Sequence, residues 1–290
     1  MIDVAVIGAG PAGIATALQL KLYDINCVLY EQDDVGGLLR NANLVENYLG
    51  FPQGIVGPDL IKLFKLQLSR LGVTVSSQRI NMIDLNNNGF ELDTDHGKVD
   101  CKHVVLASGT IPKKFTINNI NHESCEKILP EIYSILDQQN LHISIIGAGD
   151  AAFDYAINLA KKNMVRIHNR SKRTRCLSHL FESAINNINI SYYEDSNLID
   201  VSIHRDNLQI EWDNFGVREF EEADYLIIAI GREPNISCLS TDVYKQMSEL
   251  EKQGKLLMVG DVTNGINRQT GISVGDGIAA AMRLNKIIKE

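Results

Sequence analysis

Residues 2–31, IDVAVIGAGPAGIATALQLKLYDINCVLYE, contain the pattern that decides the fold. An apolar strand leads into the loop Gly8-Ala9-Gly10-Pro11-Ala12-Gly13, an apolar helix follows, and a second strand ends at Glu31. A G-x-G-x-x-G loop of this kind places dinucleotide phosphates at a helix N-terminus, and an acidic residue after the second strand accepts ribose hydroxyls. The pattern therefore predicts a βαβ unit that binds a dinucleotide; the alternative is a glycine turn without a ligand.

The same pattern occurs a second time, at residues 142–168. Its loop is Gly147-Ala148-Gly149-Asp150-Ala151-Ala152, with alanine in place of the third glycine, which the fingerprint allows. Two such units predict an α/β fold with two doubly wound, Rossmann-like nucleotide-binding domains, the second inserted in the first. We expect the first domain to comprise residues 1–112 and 236–290 and the second to comprise residues 113–235.

The second unit has no acidic residue at the end of its second strand. The sequence there is His168-Asn169-Arg170-Ser171-Lys172-Arg173-Thr174-Arg175. A carboxylate would repel a 2′-phosphate, whereas a guanidinium group binds a phosphate through two hydrogen bonds. We therefore expect this domain to prefer NADPH to NADH. The alternative is a solvated basic surface without a specific ligand.

Several further motifs resemble the sequence of low-molecular-weight thioredoxin reductases, in order and over nearly the whole chain. They are Gly36-Gly37-Leu38-Leu39, Val45-Glu46-Asn47-Tyr48-Leu49-Gly50-Phe51-Pro52, Gly57-Pro58-Asp59-Leu60, the His-x-Arg run at 168–170, Gly231-Arg232-Glu233-Pro234-Asn235, and Gly260-Asp261 followed by Arg268-Gln269. The resemblance implies an FAD-dependent NAD(P)H oxidoreductase, with FAD on the first domain and NADPH on the second. It also implies a homodimer built on the FAD domain.

The resemblance implies roles for individual residues as well. Asp261 would hold the ribitol chain, Gln269 and the following turn would face the pyrimidine edge of the flavin, and Asn47 would lie near the isoalloxazine. A helix N-terminus at residues 270–273 would stabilise negative charge on a reduced flavin. The residues expected to bind FAD are Gly8, Gly10, Pro11, Ala12, Gly13, Glu31, Gly37, Leu38, Asn47, Met82, Gly109, Asp261, Gln269 and Thr270. The residues expected to bind NADPH are Gly147, Gly149, Asp150, Ala151, His168, Arg170, Arg175 and Gly231.

The chain departs from the family pattern at the redox dithiol, and Leu38 stands where the family commonly has glutamine. The family's C-x-x-C lies between Gly109 of the first domain and the second glycine loop, where this chain has Cys125 alone. A dithiol relay needs one thiol to attack the substrate disulfide and another to resolve the mixed disulfide. We therefore expect electrons to pass from reduced FAD directly to an unidentified acceptor. The flavin itself is the reactive group, and Cys125 is the one side chain considered for a redox role.

Composition narrows the class of partners. The formal net charge is −8, and nucleic acids and anionic membranes select basic surfaces. No apolar run approaches the ~20 residues that span a bilayer, and the first residues predict no signal peptide. The five cysteines are scattered, as in a protein of the reducing cytoplasm, and the histidines show no metal-ligand spacing. We expect a cytoplasmic protein that binds neither nucleic acid nor membrane and holds no metal.

The sequence leaves two other functions open. The first is a ferredoxin– or flavodoxin–NADP reductase, in which a local basic patch would meet an acidic carrier protein. The second, from a different class, is a non-catalytic flavoprotein whose conformation reports the ratio of NADPH to NADP⁺. Turnover with an excess of artificial acceptor would favour an enzyme, and stoichiometric flavin reduction without turnover would favour the sensor.

Overall fold

The computed structural model describes residues 1–116 and 126–290. These residues contain seventeen strands. They are β1 (Ile2–Ile7), β2 (Cys27–Glu31), β3 (Thr74–Ser77), β4 (Ile80–Asn86), β5 (Gly89–Thr94), β6 (Gly97–Leu106), β7 (Thr110–Pro112), β8 (Ile128–Leu129), β9 (His142–Ile146), β10 (Met164–His168), β11 (Ile190–Tyr193), β12 (Ser196–His204), β13 (Asn207–Asn214), β14 (Val217–Ala223), β15 (Tyr225–Ile228), β16 (Arg232–Pro234) and β17 (Leu256–Met258).

Six α-helices and three short 3₁₀ helices complete the secondary structure of the same residues. The α-helices are α1 (Pro11–Leu22), α2 (Gly57–Leu71), α3 (Asp150–Leu159), α4 (Ser178–Ile185), α5 (Thr241–Lys252) and α6 (Thr270–Lys289). The 3₁₀ helices are Gly37–Asn41, Tyr133–Ile135 and Gly260–Val262. Among these helices, none combines the length and the apolar character needed to cross a bilayer.

The chain folds into two compact units, with the second inserted in the first. Unit 1 comprises Met1–Arg40, Leu44–Ile111 and Glu233–Glu290, and unit 2 comprises Asn41–Asn43 and Pro112–Arg232. The expected domain bounds differ from these units in two places. They put the return of the chain to the first domain at residues 235–236 rather than at residues 232–233, and they assigned residues 41–43 to the first domain. The connecting strands β7 and β16 pair with each other.

Unit 1 is built on a seven-stranded sheet in the order β3-β2-β1-β6-β5-β4, with β17 beside β6. Strands β3, β2, β1, β6 and β17 run parallel. Strand β5 pairs antiparallel with the first half of β6, and β4 pairs antiparallel with β5 at the edge of the sheet. Helices α1 and α6 pack closely, because Gly277 has no side chain: a Cβ there would lie 2.2 Å from the carbonyl oxygen of Ala12. Helix α1 packs in turn on β1, β2 and β6 of the sheet.

Unit 2 is built on a parallel sheet in the order β11-β10-β9-β15-β8. One face carries α3 and α4, which bury Phe153 and Ala156 against Ile145 and Ile167. The other face is covered by the three-stranded antiparallel meander β12-β13-β14, whose Trp212 is almost fully buried. The predicted fold class, parallel α/β sheets of the dinucleotide-binding type, is confirmed.

Candidate functional site

The first glycine loop is a tight turn at the carboxyl end of β1. The amide of Gly8 donates to the carbonyl of Tyr30 at 2.8 Å, and a Cβ on Gly8 would lie 2.5 Å from the carbonyl oxygen of Ala107. A Cβ on Gly13 would lie 1.9 Å from the carbonyl oxygen of Gly8. By contrast, a Cβ on Gly10 would meet no atom within 4 Å. Two glycines are therefore required by packing, while Gly10 leaves open space beside the helix for a pyrophosphate.

The second glycine loop repeats this construction. The amide of Gly147 donates to the carbonyl of His168 at 3.1 Å, and a Cβ on Gly147 would lie 2.3 Å from the carbonyl oxygen of Ala229. A Cβ on Gly149 would again meet no atom within 4 Å, and Ala152 is fully buried in the third position. The two loops therefore present the same kind of cradle, one in each unit.

Helix N-termini face both cradles. Helix α1 begins after Gly10 and α3 begins after Gly149, and neither end has a side-chain cap. The first-turn N–H groups of a helix carry partial positive charge and are available to an anion when no side chain caps them. Open space and helix dipole together make each loop fit the pyrophosphate that FAD and NADPH share, so the residues present fit a dinucleotide cofactor in each unit.

The carboxylate of Glu31 is fixed beside the first loop. Its Oε2 accepts from the amide of Ala9 at 2.7 Å, and its Oε1 accepts from the amide of Asp33 at 3.0 Å. The 3₁₀ helix that contains Gly37 lies against the same loop, since a Cβ on Gly37 would be 3.2 Å from the Cα of Gly10. The acidic residue and the glycine loop are thus brought together as the sequence predicts.

The turn that carries Asp261 is held by α6. Ser273 Oγ donates to Asp261 Oδ1 at 3.2 Å, and Asp276 Oδ2 accepts from the amide of Gly260 at 3.2 Å and from Asn264 Nδ2 at 2.6 Å. Gly260 has a φ of +74°, and a Cβ there would lie 2.8 Å from the Cβ of Ala12 on α1. Ser273 and Asp276 are not among the predicted residues; their spacing of three residues, which puts them on one face of α6, is the sequence signal that points to them.

The remaining residues predicted for FAD lie at several places in unit 1. Gln269 and Thr270 stand at the N-terminus of α6, which has no side-chain cap. Leu38 is half-buried in its 3₁₀ helix and Asn47 is exposed. The carbonyl of Gly109, a residue with a φ of +64°, accepts from the amide of Asn235 at 3.0 Å. Met82 lies on β4, three strands away from β1, and its role at FAD stays a prediction.

The basic run folds back onto the second glycine loop. The amide of Arg175 donates to the carbonyl of Ala148 at 2.8 Å, and the amide of Leu177 donates to Asp150 Oδ1 at 2.8 Å. The side chains of Arg170 and Arg175 are exposed. Asp150 therefore uses its carboxylate to anchor the run. Of the other residues predicted for NADPH, Ala151 is in the first turn of α3 and Gly231, with a φ of +112°, follows β15.

His168, the first residue of the basic run, is buried. Its side chain is only 2% exposed, and its ring stacks on Trp212 and on Tyr193, with centroids 3.6 and 5.0 Å apart. Its Nδ1 is 2.8 Å from Ser196 Oγ, and its Nε2 is 3.3 Å from Glu221 Oε1. The meander covers this imidazole, and the role of His168 at NADPH stays a prediction. Only the His168 carbonyl reaches the glycine loop.

Glu221 is the acidic partner of this buried cluster. It accepts from Ser144 Oγ at 2.5 Å and pairs with Arg166 at 3.2 Å. Burial raises the pKa of this carboxyl, but the electrostatic interaction with the nearby imidazole of His168 and the hydrogen bond from Ser144 outweigh burial and leave the pKa below its usual value. A cavity of about 130 Å³ lies beside this cluster, between sheet and meander. Glu221 therefore stabilises unit 2 from the meander side of the sheet.

Comparison with known proteins decides the family. Residues 2–270 match the family described as pyridine nucleotide-disulphide oxidoreductase.

The chain belongs to the pyridine nucleotide-disulphide oxidoreductase family.

Within this family it is similar to thioredoxin reductases. It is 26% identical over 318 residues to NADPH-dependent thioredoxin reductase 3 of Arabidopsis thaliana, an alignment that covers 99% of this chain but 58% of that relative. It is 25% identical to the thioredoxin reductase of Chlamydia pneumoniae, over 98% of this chain and 97% of the relative. Among solved structures, Lactococcus lactis thioredoxin reductase in the FR conformation has a TM-score of 0.88 at 23% identity and covers 100% of this chain and 99% of its own.

A second solved structure, T. acidophilum thioredoxin reductase, has a TM-score of 0.86 at 22% identity and covers 99% of both chains. These matches confirm the resemblance stated from the sequence. This member of the pyridine nucleotide-disulphide oxidoreductase family is an FAD-dependent NAD(P)H oxidoreductase of the thioredoxin-reductase-like kind, and FAD and NADPH are its cofactors.

The state of the cysteines determines whether their thiols can take part in disulfide exchange. Cys27, Cys101, Cys176 and Cys238 are free thiols, and Cys125 lies outside the described residues. Burial raises the pKa of Cys27 to about 11, of Cys101 to about 12 and of Cys238 to about 11, and it raises the pKa of Cys176 as well. The thiolate is the nucleophile in disulfide chemistry. These four thiols are therefore poor nucleophiles at neutral pH.

Proposed function

We propose that this family member transfers electrons from NADPH through bound FAD directly to an external acceptor, without a redox dithiol of its own. The observation that carries the proposal is the placement of the cysteines. No two of the five have C-x-x-C spacing, and burial raises the pKa of each of the four described thiols. A dithiol relay needs one thiol to attack and another to resolve. Bound FAD supplies the redox chemistry, and the chain supplies binding and orientation.

The residues that would hold FAD belong to unit 1. The open space at Gly10 would take the pyrophosphate, and the carboxylate of Glu31 would accept the ribose hydroxyls. Asp261, held by Ser273, would accept the hydroxyls of the ribitol chain. The uncapped N-terminus of α6 at Thr270 would stabilise negative charge at the pyrimidine edge of the flavin.

The same reasoning supports NADPH as the preferred reductant. The strand β2 ends at Glu31, suited to ribose hydroxyls, whereas β10 ends at His168 and is followed by exposed basic residues. Arg170 and Arg175 would bind the 2′-phosphate, which carries close to two negative charges at neutral pH. The backbone anchoring of the run at Ala148 and Asp150 supports this assignment, because it keeps the basic residues beside the glycine loop.

The acceptor in this proposal meets the flavin directly. Its class is a quinone-like or dye-like small molecule, an external disulfide, a one-electron carrier or oxygen. External disulfides include oxidised thioredoxin, named in the relatives, and bacillithiol disulfide, since a bacillithiol disulfide reductase of Bacillus cereus has a similar fold with a TM-score of 0.75. The proposed assembly is a homodimer built on unit 1, which analytical ultracentrifugation would test.

The proposal is tested by anaerobic stopped-flow reduction of the FAD-loaded protein with NADPH, followed by a panel of these acceptors. We expect the flavin absorbance to bleach and steady turnover to follow with a dye or quinone. Cys125→Ser should keep dye reduction within about twofold, because the variant removes the single thiol of the dithiol segment. Thioredoxin reduction that disappears in Cys125→Ser would overturn the proposal, and bleaching without turnover with any acceptor would favour a sensor instead.

A further inference from the structure

Asn169 is buried in the middle of an exposed basic run. It directly follows β10, and its side chain is 4% exposed, while Arg170 and Arg173 on the same loop are exposed. Its own backbone is fixed on both sides: the amide donates to the carbonyl of Tyr193 at 2.9 Å, and the carbonyl accepts from the amide of Ser196 at 2.9 Å. A buried polar side chain at such a position needs hydrogen-bond partners of its own.

Those partners are found in the basic run itself. Asn169 Oδ1 accepts from the amide of Ser171 at 3.2 Å. Asn169 Nδ2 donates to the carbonyl of Arg173 at 3.2 Å and to Tyr192 Oη at 2.9 Å. One buried amide thus holds the backbone at both ends of the turn formed by residues 170–173.

We propose that Asn169 is a positioning residue for coenzyme discrimination. By fixing the backbone of residues 170–173, it presents the exposed guanidinium groups to the 2′-phosphate in one arrangement, which lowers the ordering cost of binding. NADH lacks this phosphate and makes no use of the turn, so the effect of Asn169 is specific to NADPH. The inference rests on the proposed preference for NADPH.

The chain contains a matched control at the other end of the same strand. Asn163 directly precedes β10 and is also 4% exposed. Its Oδ1 accepts from the amide of Leu141 at 3.0 Å, and its Nδ2 donates to the carbonyls of Gln138 and Leu159 at 3.3 and 3.0 Å. Asn163 therefore has the same side chain and the same burial, and it too bonds backbone groups through both its oxygen and its nitrogen, but it lies at the strand end opposite the glycine loop. A purely structural contribution would be common to both asparagines.

The experiment compares FAD-loaded wild type, Asn169→Ala, Asn163→Ala and Arg170→Ala. Isothermal titration measures the affinity for adenosine 2′,5′-bisphosphate and for AMP, and kinetics give kcat/KM with NADPH and NADH. We expect Asn169→Ala to weaken the bisphosphate about tenfold, as the loss of one or two well-formed hydrogen bonds implies, and to leave AMP within about twofold. Asn163→Ala should lower the melting temperature as much as Asn169→Ala does, but it should leave the affinities for the bisphosphate and for AMP unchanged.

A more conservative variant, Asn169→Ser, keeps the test usable if Asn169→Ala does not fold. Asn169→Ser keeps one hydroxyl that can accept from the amide of Ser171 but lacks the amide nitrogen that donates to the Arg173 carbonyl, so we expect an intermediate loss of bisphosphate affinity, about threefold. If the Asn169 variants keep the wild-type ratio of bisphosphate to AMP affinity while Arg170→Ala loses it, the positioning role of Asn169 is overturned and the preference for NADPH stands. If wild type binds bisphosphate and AMP equally, the preference for NADPH is overturned together with this inference.

Discussion

The imidazole ring of His168 lies parallel to the indole ring of Trp212, with the ring centroids 3.6 Å apart and the planes within 2°. The two residues come from different layers of unit 2, since His168 ends a strand of the parallel sheet and Trp212 lies on the meander. At the same position the His168 carbonyl accepts from the amide of Gly147 in the second glycine loop. One residue thus joins the packing of the meander to the geometry of the nucleotide cradle.

This relationship predicts that His168→Leu lowers stability and leaves coenzyme preference unchanged. Leucine fills similar space but leaves Ser196 and Glu221 without their imidazole partner, and an unpaired buried polar group costs about 1–3 kcal/mol. Urea unfolding followed by the fluorescence of Trp212, the one tryptophan in the chain, measures the loss. Arg170→Leu, an exposed neighbour, should stay within about 0.5 kcal/mol of wild type. A fall in the NADPH-to-NADH ratio in His168→Leu would restore the imidazole to the coenzyme site.

A second prediction separates the glycines that bind from those that pack. Gly10→Ala introduces a methyl group into open space at a φ of −75°, so the folded chain should tolerate it while FAD affinity falls at least about tenfold. Gly13→Ala places a Cβ against the Gly8 carbonyl and should destabilise unit 1 itself. Flavin content of the purified variants and circular dichroism of the flavin-free proteins check the two outcomes. A Gly10→Ala protein that retains its full flavin content would contradict the proposal that the space at Gly10 holds the FAD pyrophosphate.

A third prediction concerns coenzyme choice. A charge-assisted bidentate contact contributes about 1.5–3 kcal/mol, so kcat/KM should favour NADPH over NADH by at least about tenfold. Arg170→Ala should remove most of this preference by weakening NADPH alone, and added salt should reduce it because the side chain is exposed. Gly149→Ala is the comparison: it narrows the shared pyrophosphate cradle and should weaken both coenzymes alike. Equal kcat/KM for the two coenzymes in wild type would mean that the basic run is only a solvated surface.

A fourth prediction concerns pH. Burial raises the pKa of Asp154 to about 6, against a hydrogen bond from the amide of Asn43 and the charge of Lys161. Because the folded protein holds this proton more tightly than the unfolded chain, stability should fall as pH rises from about 4 to about 6. Asp154→Asn cannot ionise and should be more stable than wild type at pH 7.5, by on the order of 2 kcal/mol, but not at pH 4.

Urea unfolding at the two pH values measures this difference. Asp59→Asn is the control, since Asp59 is exposed on α2 and pairs with Lys62 on the surface. It should change stability little at either pH. A wild-type stability that stays constant between pH 4 and pH 6, or a stabilisation by Asp154→Asn that is equal at both values, would argue against a buried carboxyl with a raised pKa.

The sequence by itself determined the two nucleotide cradles. Glycine spacing, apolar strands and the acid at Glu31 are local features, because a tight turn between strand and helix permits few backbone conformations and few residue types. The order of these elements also determined that one domain is inserted in the other. The residues directly after each strand could be predicted for the same reason, including the basic run after β10.

Only the tertiary structure decided which side chains at the end of β10 are exposed and so available to a ligand. His168 is buried because Trp212, from a strand distant in sequence, stacks on it, and Asn169 turns inward because its amide finds partners in the loop after it. Asp261 likewise accepts a hydrogen bond from Ser273 on α6, a helix whose close packing on α1 requires Gly277. Burial and hydrogen-bond partners are properties of long-range packing, and packing places residues side by side that no local pattern relates.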